Sequence, residues 1–373
     1  MNGKAGCGKT VLCYTVIEDI QSYCKSHANA GFAVFYFTFS DKQKQSYQSL
    51  LLSLVAQLGW REPAQSTLRQ MFESPNKSVP SVRALEKILL SSVTQYNEVC
   101  LLLDAIDECP EDDDARQNVL DLIQRLARSA NNLRLFITSR YLLDIKSSME
   151  DLVASPMSVE VDAVDADIEK YVREEILRDR KLNSLPNATK DLITQTLTQN
   201  SDGMFRWAFC QLHELKRLKS TKPSRLEQAL RSLPATLDET YERMLVQIAE
   251  EDHDDALTAL RWLAFERRPL TVGEIVEACV IDPSRDGVVK EHDRGGSEDV
   301  LNILAGLVVV DSNRSEDGDG DGIKDVLPSQ AIDVQNGNAE PGPLFYPITK
   351  KTRIRLAHFS VKEYLVSNRI LDS

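Results

Sequence analysis

Gly3-Lys4-Ala5-Gly6-Cys7-Gly8-Lys9-Thr10 satisfies the pattern G-x-x-x-x-G-K-[ST], and it runs directly into the apolar helical stretch Thr10-Val11-Leu12-Cys13-Tyr14-Thr15-Val16-Ile17. Glycines at these positions let backbone amides wrap an anion, and a helix N-terminus behind them favours negative charge, so the pattern reads as a phosphate loop. In such a loop Lys9 reaches the β- and γ-phosphates, and the Thr10 hydroxyl ligates magnesium.

A second stretch about 95 residues downstream supplies what a phosphate loop needs. Val99-Cys100-Leu101-Leu102-Leu103 is a buried strand that ends on Asp104-Ala105-Ile106-Asp107-Glu108. It delivers carboxylates to the C-terminal edge of a sheet, where open α/β folds bind ligands. Asp104 is the candidate magnesium carboxylate, and Asp107 or Glu108 is the candidate for positioning or deprotonating an attacking water. Arg140 closes Leu135-Phe136-Ile137-Thr138-Ser139-Arg140 and places a guanidinium at the edge of the next strand.

Around these motifs the periodicity alternates. The segment Phe32–Phe39 reads as a strand covered on both faces, and helices are predicted over Tyr47–Leu58, Ser81–Tyr96 and Ala115–Ser129, with a strand over Leu133–Thr138. A βαβα series of this kind makes a parallel sheet between helical layers. The strand that ordinarily leads into a phosphate loop has no counterpart before Gly3, so the sheet is expected to lack its first strand, and either a truncated gene product or an incomplete gene model is expected.

From about Asp165 the strand signals stop, and helices are predicted over Ile168–Leu182, Ala188–Gln199, Gly203–Leu218, Arg225–Ser232 and Leu237–Ile248. Trp262-Leu263-Ala264 then belongs to a helix broken at Arg267-Arg268-Pro269-Leu270. The next helix restarts at Thr271, whose side chain with Glu274 makes a capping box. A helix over Glu298–Ala305, strands over Leu307–Asp311 and Arg353–Ala357, and a helix over Ser360–Ser367 complete a winged-helix pattern. The polar stretch 312–352 is expected to be a disordered insertion in the wing. Its Asp317-Gly318-Asp319-Gly320-Asp321-Gly322 begins like a calcium loop, but Pro328 stands where the twelfth-position Glu belongs, so a solvated acidic loop is expected.

Composition bounds the rest. The chain has 373 residues, 42% of them hydrophobic and 27% charged, with a net charge of −13. That is globular material for two or three domains at roughly 150 residues each. The charge repels phosphate backbones and anionic lipid, and the basic cluster Arg261, Arg267, Arg268 and Arg285 is small. Seven scattered cysteines without C-x-x-C pairing suggest neither a disulfide framework nor a zinc site, and no apolar run approaches the ~20 residues that a bilayer needs.

On these residues the sequence resembles the NACHT class of STAND signal-transduction ATPases, and fungal NACHT proteins related to the nephrocystin-type N-terminal domain in particular. The resemblance also rests on Ser201-Asp202-Gly203-Met204-Phe205-Arg206-Trp207-Ala208, on Leu233-Pro234-Ala235-Thr236-Leu237-Asp238-Glu239-Thr240-Tyr241-Glu242-Arg243-Met244-Leu245, and on Trp262 to Thr271. Leu356 to Leu365 is similar to the closing segment of a winged helix found beside GPI inositol-deacylase-like fungal proteins.

The resemblance implies an α/β P-loop core over 1–155, a helical domain over 156–235 and a winged helix over 236–373. It implies a cytoplasmic switch in which ADP holds the closed form and exchange for ATP, with Mg2+, permits self-association, with slow hydrolysis. It also implies effector and repeat-domain partners outside this chain, and a role for His358 against the phosphates in the closed state. Membrane and nucleic-acid partners are not expected. Two other readings stay open: a DNA-loading P-loop ATPase with a DNA-binding winged helix, and a nucleotide-dead scaffold.

Overall fold

The computed structural model describes the chain except residues 28, 61, 73–79, 112–113, 153–156, 160, 219, 221, 283–287, 290–293, 312–349 and 368–373. The insertion expected over 312–352, with its calcium-like loop, lies almost wholly outside the described residues, as does Arg285. Two compact units result, Met1–Arg231 and Ser232–Ser373.

The first unit begins with α1 (Lys9–Ser26), β1 (Ala30–Tyr36), α2 (Tyr47–Gly59), α3 (Ala64–Phe72), α4 (Val82–Val93), β2 (Glu98–Asp104), α5 (Ala115–Ser129), β3 (Leu133–Ile137) and α6 (Leu143–Met149). The strands form a parallel sheet in the order β1-β2-β3, with Phe32 opposite Cys100 and Leu102 opposite Phe136. This is the mixed α/β architecture that the alternating pattern predicts.

Two apolar layers sandwich the sheet. On one face Ala33, Phe35, Leu101 and Leu103 pack against α2, α4 and α5 through Leu50, Leu54, Leu89 and Ile123. On the other, Cys100 and Leu102 meet Cys13, Ile17 and Cys24 of α1, with Phe32, Val34 and Tyr36 only partly buried. The expectation that β1 is fully covered on both faces therefore holds for one face alone, because a single helix shields the other.

Beyond β3 the sheet continues through two residues. Asn2 bridges Ser139 and Ser158 in parallel. Met1 donates its ammonium to Ile137 O (2.6 Å) and accepts from Ser139 N, while Asn2 N reaches Met157 O and Asn2 O accepts from Val159 N. The place where the first strand was expected to be missing thus holds a two-residue segment with ladder bonds on both sides, and it leads straight into the phosphate loop.

The remainder of this unit is helical: α7 (Val161–Arg178), α8 (Arg180–Asn183), α9 (Asn187–Asn200), α10 (Phe205–Arg217) and α11 (Pro223–Arg231). The helix predicted over Ile168–Leu182 is split at Asp179, whose carboxylate accepts from Lys181 N and Leu182 N and so starts α8 as an N-cap.

The second unit contains α12 (Leu237–Val246), α13 (His253–Phe265), β4 (Leu270–Thr271), α14 (Val272–Cys279), β5 (Ile281–Asp282), β6 (Val288–Val289), α15 (Ser297–Ile303), β7 (Val308–Asp311), β8 (Arg353–Leu356) and α16 (Phe359–Val366). Helices α13, α14 and α15 pack on an antiparallel sheet in the order β4-β8-β7, the winged-helix arrangement. The capping box at Thr271 is present, and Arg268 pairs with Glu274, holding that carboxyl down at about 2.

Candidate nucleotide site

Gly6 (φ 71°) and Gly8 (φ 89°) take the left-handed conformation that side-chain-bearing residues disfavour. The chain therefore folds back on itself and enters α1 with Gly8 as an N-cap that offers no side-chain hydrogen bond. The first amides of α1 are left available to an anion. Lys9 Nζ lies across the loop and donates to Gly3 O (2.9 Å) and Lys4 O (2.8 Å). Cys7 is buried, with its Sγ 3.9 Å from the same ammonium.

Asp104 ends β2 and is 2% exposed. Thr138 Oγ1 donates to its Oδ1 (2.5 Å), and the Thr10 hydroxyl and Cys13 thiol lie near enough to its carboxylate to hold its titration down. Burial pushes the Asp104 carboxyl up, and these three groups oppose that shift. Thr10 and Asp104, drawn from the two distant motifs, are thereby brought together.

The next residue, Ala105, is left-handed (φ 57°), and its amide donates to Thr138 Oγ1 (2.9 Å). A small side chain suits that strained backbone. The turn continues as one 3-10 helical turn over Ile106–Glu108. Asp107 Oδ1 accepts from Arg140 N (3.0 Å) and Oδ2 from Arg140 Nε (2.8 Å), so both carboxylate oxygens already hold Arg140. Glu108 Oε2 accepts from Phe39 N (3.1 Å). Burial, reinforced by the neighbouring Asp107 charge, pushes the Glu108 carboxyl up to about 8.

Two contributions to this site come from outside the phosphate loop and the acidic turn. Arg116, at the start of α5, is 7% exposed and binds the acidic turn through main-chain carbonyls. Its signal in the sequence is a charge on the stripe that Val119, Leu120, Ile123 and Leu126 bury. The second contribution is the segment Ser201–Arg206, which lies against the phosphate loop. Lys4 pairs with Asp202 (2.5 Å), Arg206 N donates to Gly6 O (3.4 Å), and the Phe205 ring stands 3.8 Å from where a Cβ on Gly8 would be. Trp207 is fully buried.

His358 belongs to the second unit. Its Nδ1 accepts from Ser360 N (3.1 Å) and caps α16, and Ser360 Oγ also meets Tyr241 Oη (2.8 Å).

The parallel sheet order, the left-handed glycine loop and the carboxylate at the end of β2 define the fold of the first unit as that of a P-loop NTPase, a nucleotide-binding architecture. Residues 1–140 match the family described as Nephrocystin 3, N-terminal, and this part of the chain is similar to that NACHT-like module. A curated relative, "Azaphilone pigments biosynthesis cluster protein L" from Monascus ruber, is 32% identical over 160 residues, 43% of this chain. The match spans 27% of that relative's length.

Among solved structures, the Aeropyrum pernix ORC1 protein in complex with DNA overlaps all of this chain and 86% of its own, at 13% identity and a TM-score of 0.37. Cdc6p from Pyrobaculum aerophilum overlaps 84% of this chain and 80% of its own, at 16% identity and 0.33. These overlaps are loose. Among the described residues, no helix is long and apolar enough to cross a membrane.

Proposed function

We propose that the chain binds ATP or ADP with Mg2+ and hydrolyses ATP slowly, and that the bound nucleotide controls self-association of a NACHT-type signalling switch. The observation that carries this reading is the meeting of Thr10 and Asp104 beside a loop whose lysine is held within the loop itself, by Gly3 O, Lys4 O and the nearby Cys7 Sγ. Lys9 has two carbonyl partners to exchange for phosphate oxygens, a trade that charge-assisted hydrogen bonding favours.

The donor set suits magnesium, which keeps several waters and needs few protein ligands. Thr10 and Asp104 would hold it, and when bound the ion supplies charge neutralisation across the phosphates. Glu108, rather than Asp107, is the base in this reading, because Asp107 is committed to Arg140; with its carboxyl held up to about 8, turnover should rise with pH as the carboxylate forms. That commitment fixes the Arg140 guanidinium at the sheet edge, where it is available to stabilise phosphate charge. We further propose that residues 156–235 form a helical domain, that His358 offers its Nε2 to the phosphates in a closed form, and that the chain works in the cytoplasm.

Calorimetry with ATP and ADP, run on the chain and on Lys9→Ala, tests the site. Affinity that Lys9→Ala removes supports it, whereas equal binding by both chains overturns it. Binding of duplex DNA with a steep salt dependence would favour the DNA-loading alternative instead.

A further inference from the structure

The turn that carries Asp107 and Glu108 is held at both of its ends. At its start, Thr138 takes the Ala105 amide on its hydroxyl and the Ile106 amide on its carbonyl (3.1 Å). At its end, Arg116 Nε donates to Cys109 O (2.9 Å) and Nη2 to Asp107 O (3.1 Å), the two carbonyls that flank Glu108. The other arm of the guanidinium, Nη1, pairs with Glu111 (2.5 Å) and with Asp144 of α6 (3.2 Å).

A buried guanidinium carries a desolvation cost that an apolar residue on the same stripe of α5 avoids. Here its planar fork spans two carbonyls at fixed separation, which an ammonium or a thioether does not reproduce. Removing that fork frees the Asp107–Cys109 backbone, and with it the direction of the Glu108 carboxylate.

We propose that Arg116 is a positioning residue, which acts through the backbone of the acidic turn to aim Glu108 and leaves the phosphate loop untouched. The inference rests on the reading of Glu108 as the base. Its geometric part, that Arg116 holds the turn, stands on the hydrogen bonds alone.

The test compares Arg116→Lys and Arg116→Met with the unmodified chain and with Glu108→Gln. Lysine keeps the charge beside Glu111 and Asp144 but loses the fork. The readout independent of activity is amide hydrogen exchange at Glu108 and Cys109, whose N–H groups bond to Ala105 O and Ile106 O. Both variants are expected to exchange faster there, with protection in β2 retained and ATP affinity within about twofold. Single-turnover hydrolysis is expected to fall by about 100-fold, the scale of a small misplacement of a reacting group.

Unchanged exchange in both variants overturns the proposal. Recovery of wild-type exchange and turnover by Arg116→Lys overturns it too, since the charge alone would then suffice. Faster exchange with unchanged turnover breaks the link to Glu108. An unmodified chain that binds ATP without turnover, or a Glu108→Gln variant with full turnover, removes the base assignment instead, and exchange still decides whether Arg116 holds the turn.

Discussion

In the phosphate loop, Lys4 and Asp202 form their ion pair with about half of each side chain in solvent, and the bonds from Cys7 N to Lys4 O and from Arg206 N to Gly6 O are both 3.4 Å long. In the acidic turn, Asp104, Ala105, Ile106, Asp107 and Cys109 are each no more than 9% exposed, and nearly every polar group has a partner from another element. The two regions meet through Thr10 and Asp104, yet one is built to exchange partners and the other to keep them. Preorganised dipoles and carboxylates are effective because they need no rearrangement when charge develops, whereas a binding loop must release what it holds before it can take a ligand.

Four substitutions probe that contrast. The largest effect is expected from Glu108→Gln, which should slow ATP turnover by about 1,000-fold while leaving nucleotide affinity near its starting value, as single-turnover assays would show. The same variant should alter the pH dependence of folding. The Glu108 carboxyl stays protonated in the folded chain up to about 8, while in the unfolded chain it ionises near 4.5. The folded state therefore holds the extra proton between those values, and stability declines as pH rises through that window. Urea denaturation across pH 5–8 should show a smaller decline in Glu108→Gln; an identical slope would mean that the carboxyl titrates normally.

Next in size, Lys9→Ala should weaken ATP binding by about 100-fold, since one charge-assisted contact contributes on the order of 3 kcal/mol. Its melting temperature should hardly move, because the carbonyls that it frees border an open loop. Thr138→Val removes a donor to Asp104 and the acceptor of the Ala105 amide, both buried. A loss of about 2 kcal/mol in denaturant titration is expected, and a loss below about 0.5 kcal/mol would argue that the turn is not held there. Smallest is Asp202→Asn. An exposed pair of this kind contributes under about 1 kcal/mol, so only a slight change in melting is expected, with any change in nucleotide off-rate measured by stopped flow.

The contrast also explains what could be read from the sequence. The loop Gly3–Thr10 and the strand ending on Asp104 were legible because glycine spacing and apolar runs encode backbone paths locally. Helices α2, α5 and α9 were legible for the same reason. The helices α3 and α6 were not, being nine and seven residues long and lying between stronger signals. The two-residue strands β4, β5 and β6 leave too little pattern to detect. The difference between Asp107 and Glu108 was invisible, because it depends on the left-handed turn at Ala105 and on where Arg140 lands. Arg116 acts on residues near it only in space and carries no motif of its own, whereas Asp202 lies in the string Ser201–Ala208 that the resemblance rests on, but its pairing with Lys4 depends on the fold.

One bond in the loop has a mechanical side. The Gly6 carbonyl is tied to the first turn of α10, a helix of 13 residues whose rise of 1.5 Å per residue gives it a length of about 20 Å. One face of that helix, through Trp207, Ala208, Cys210 and Leu212, is buried in the helical part of the unit, so a single peptide group is where the phosphate loop is stitched to a packed rod.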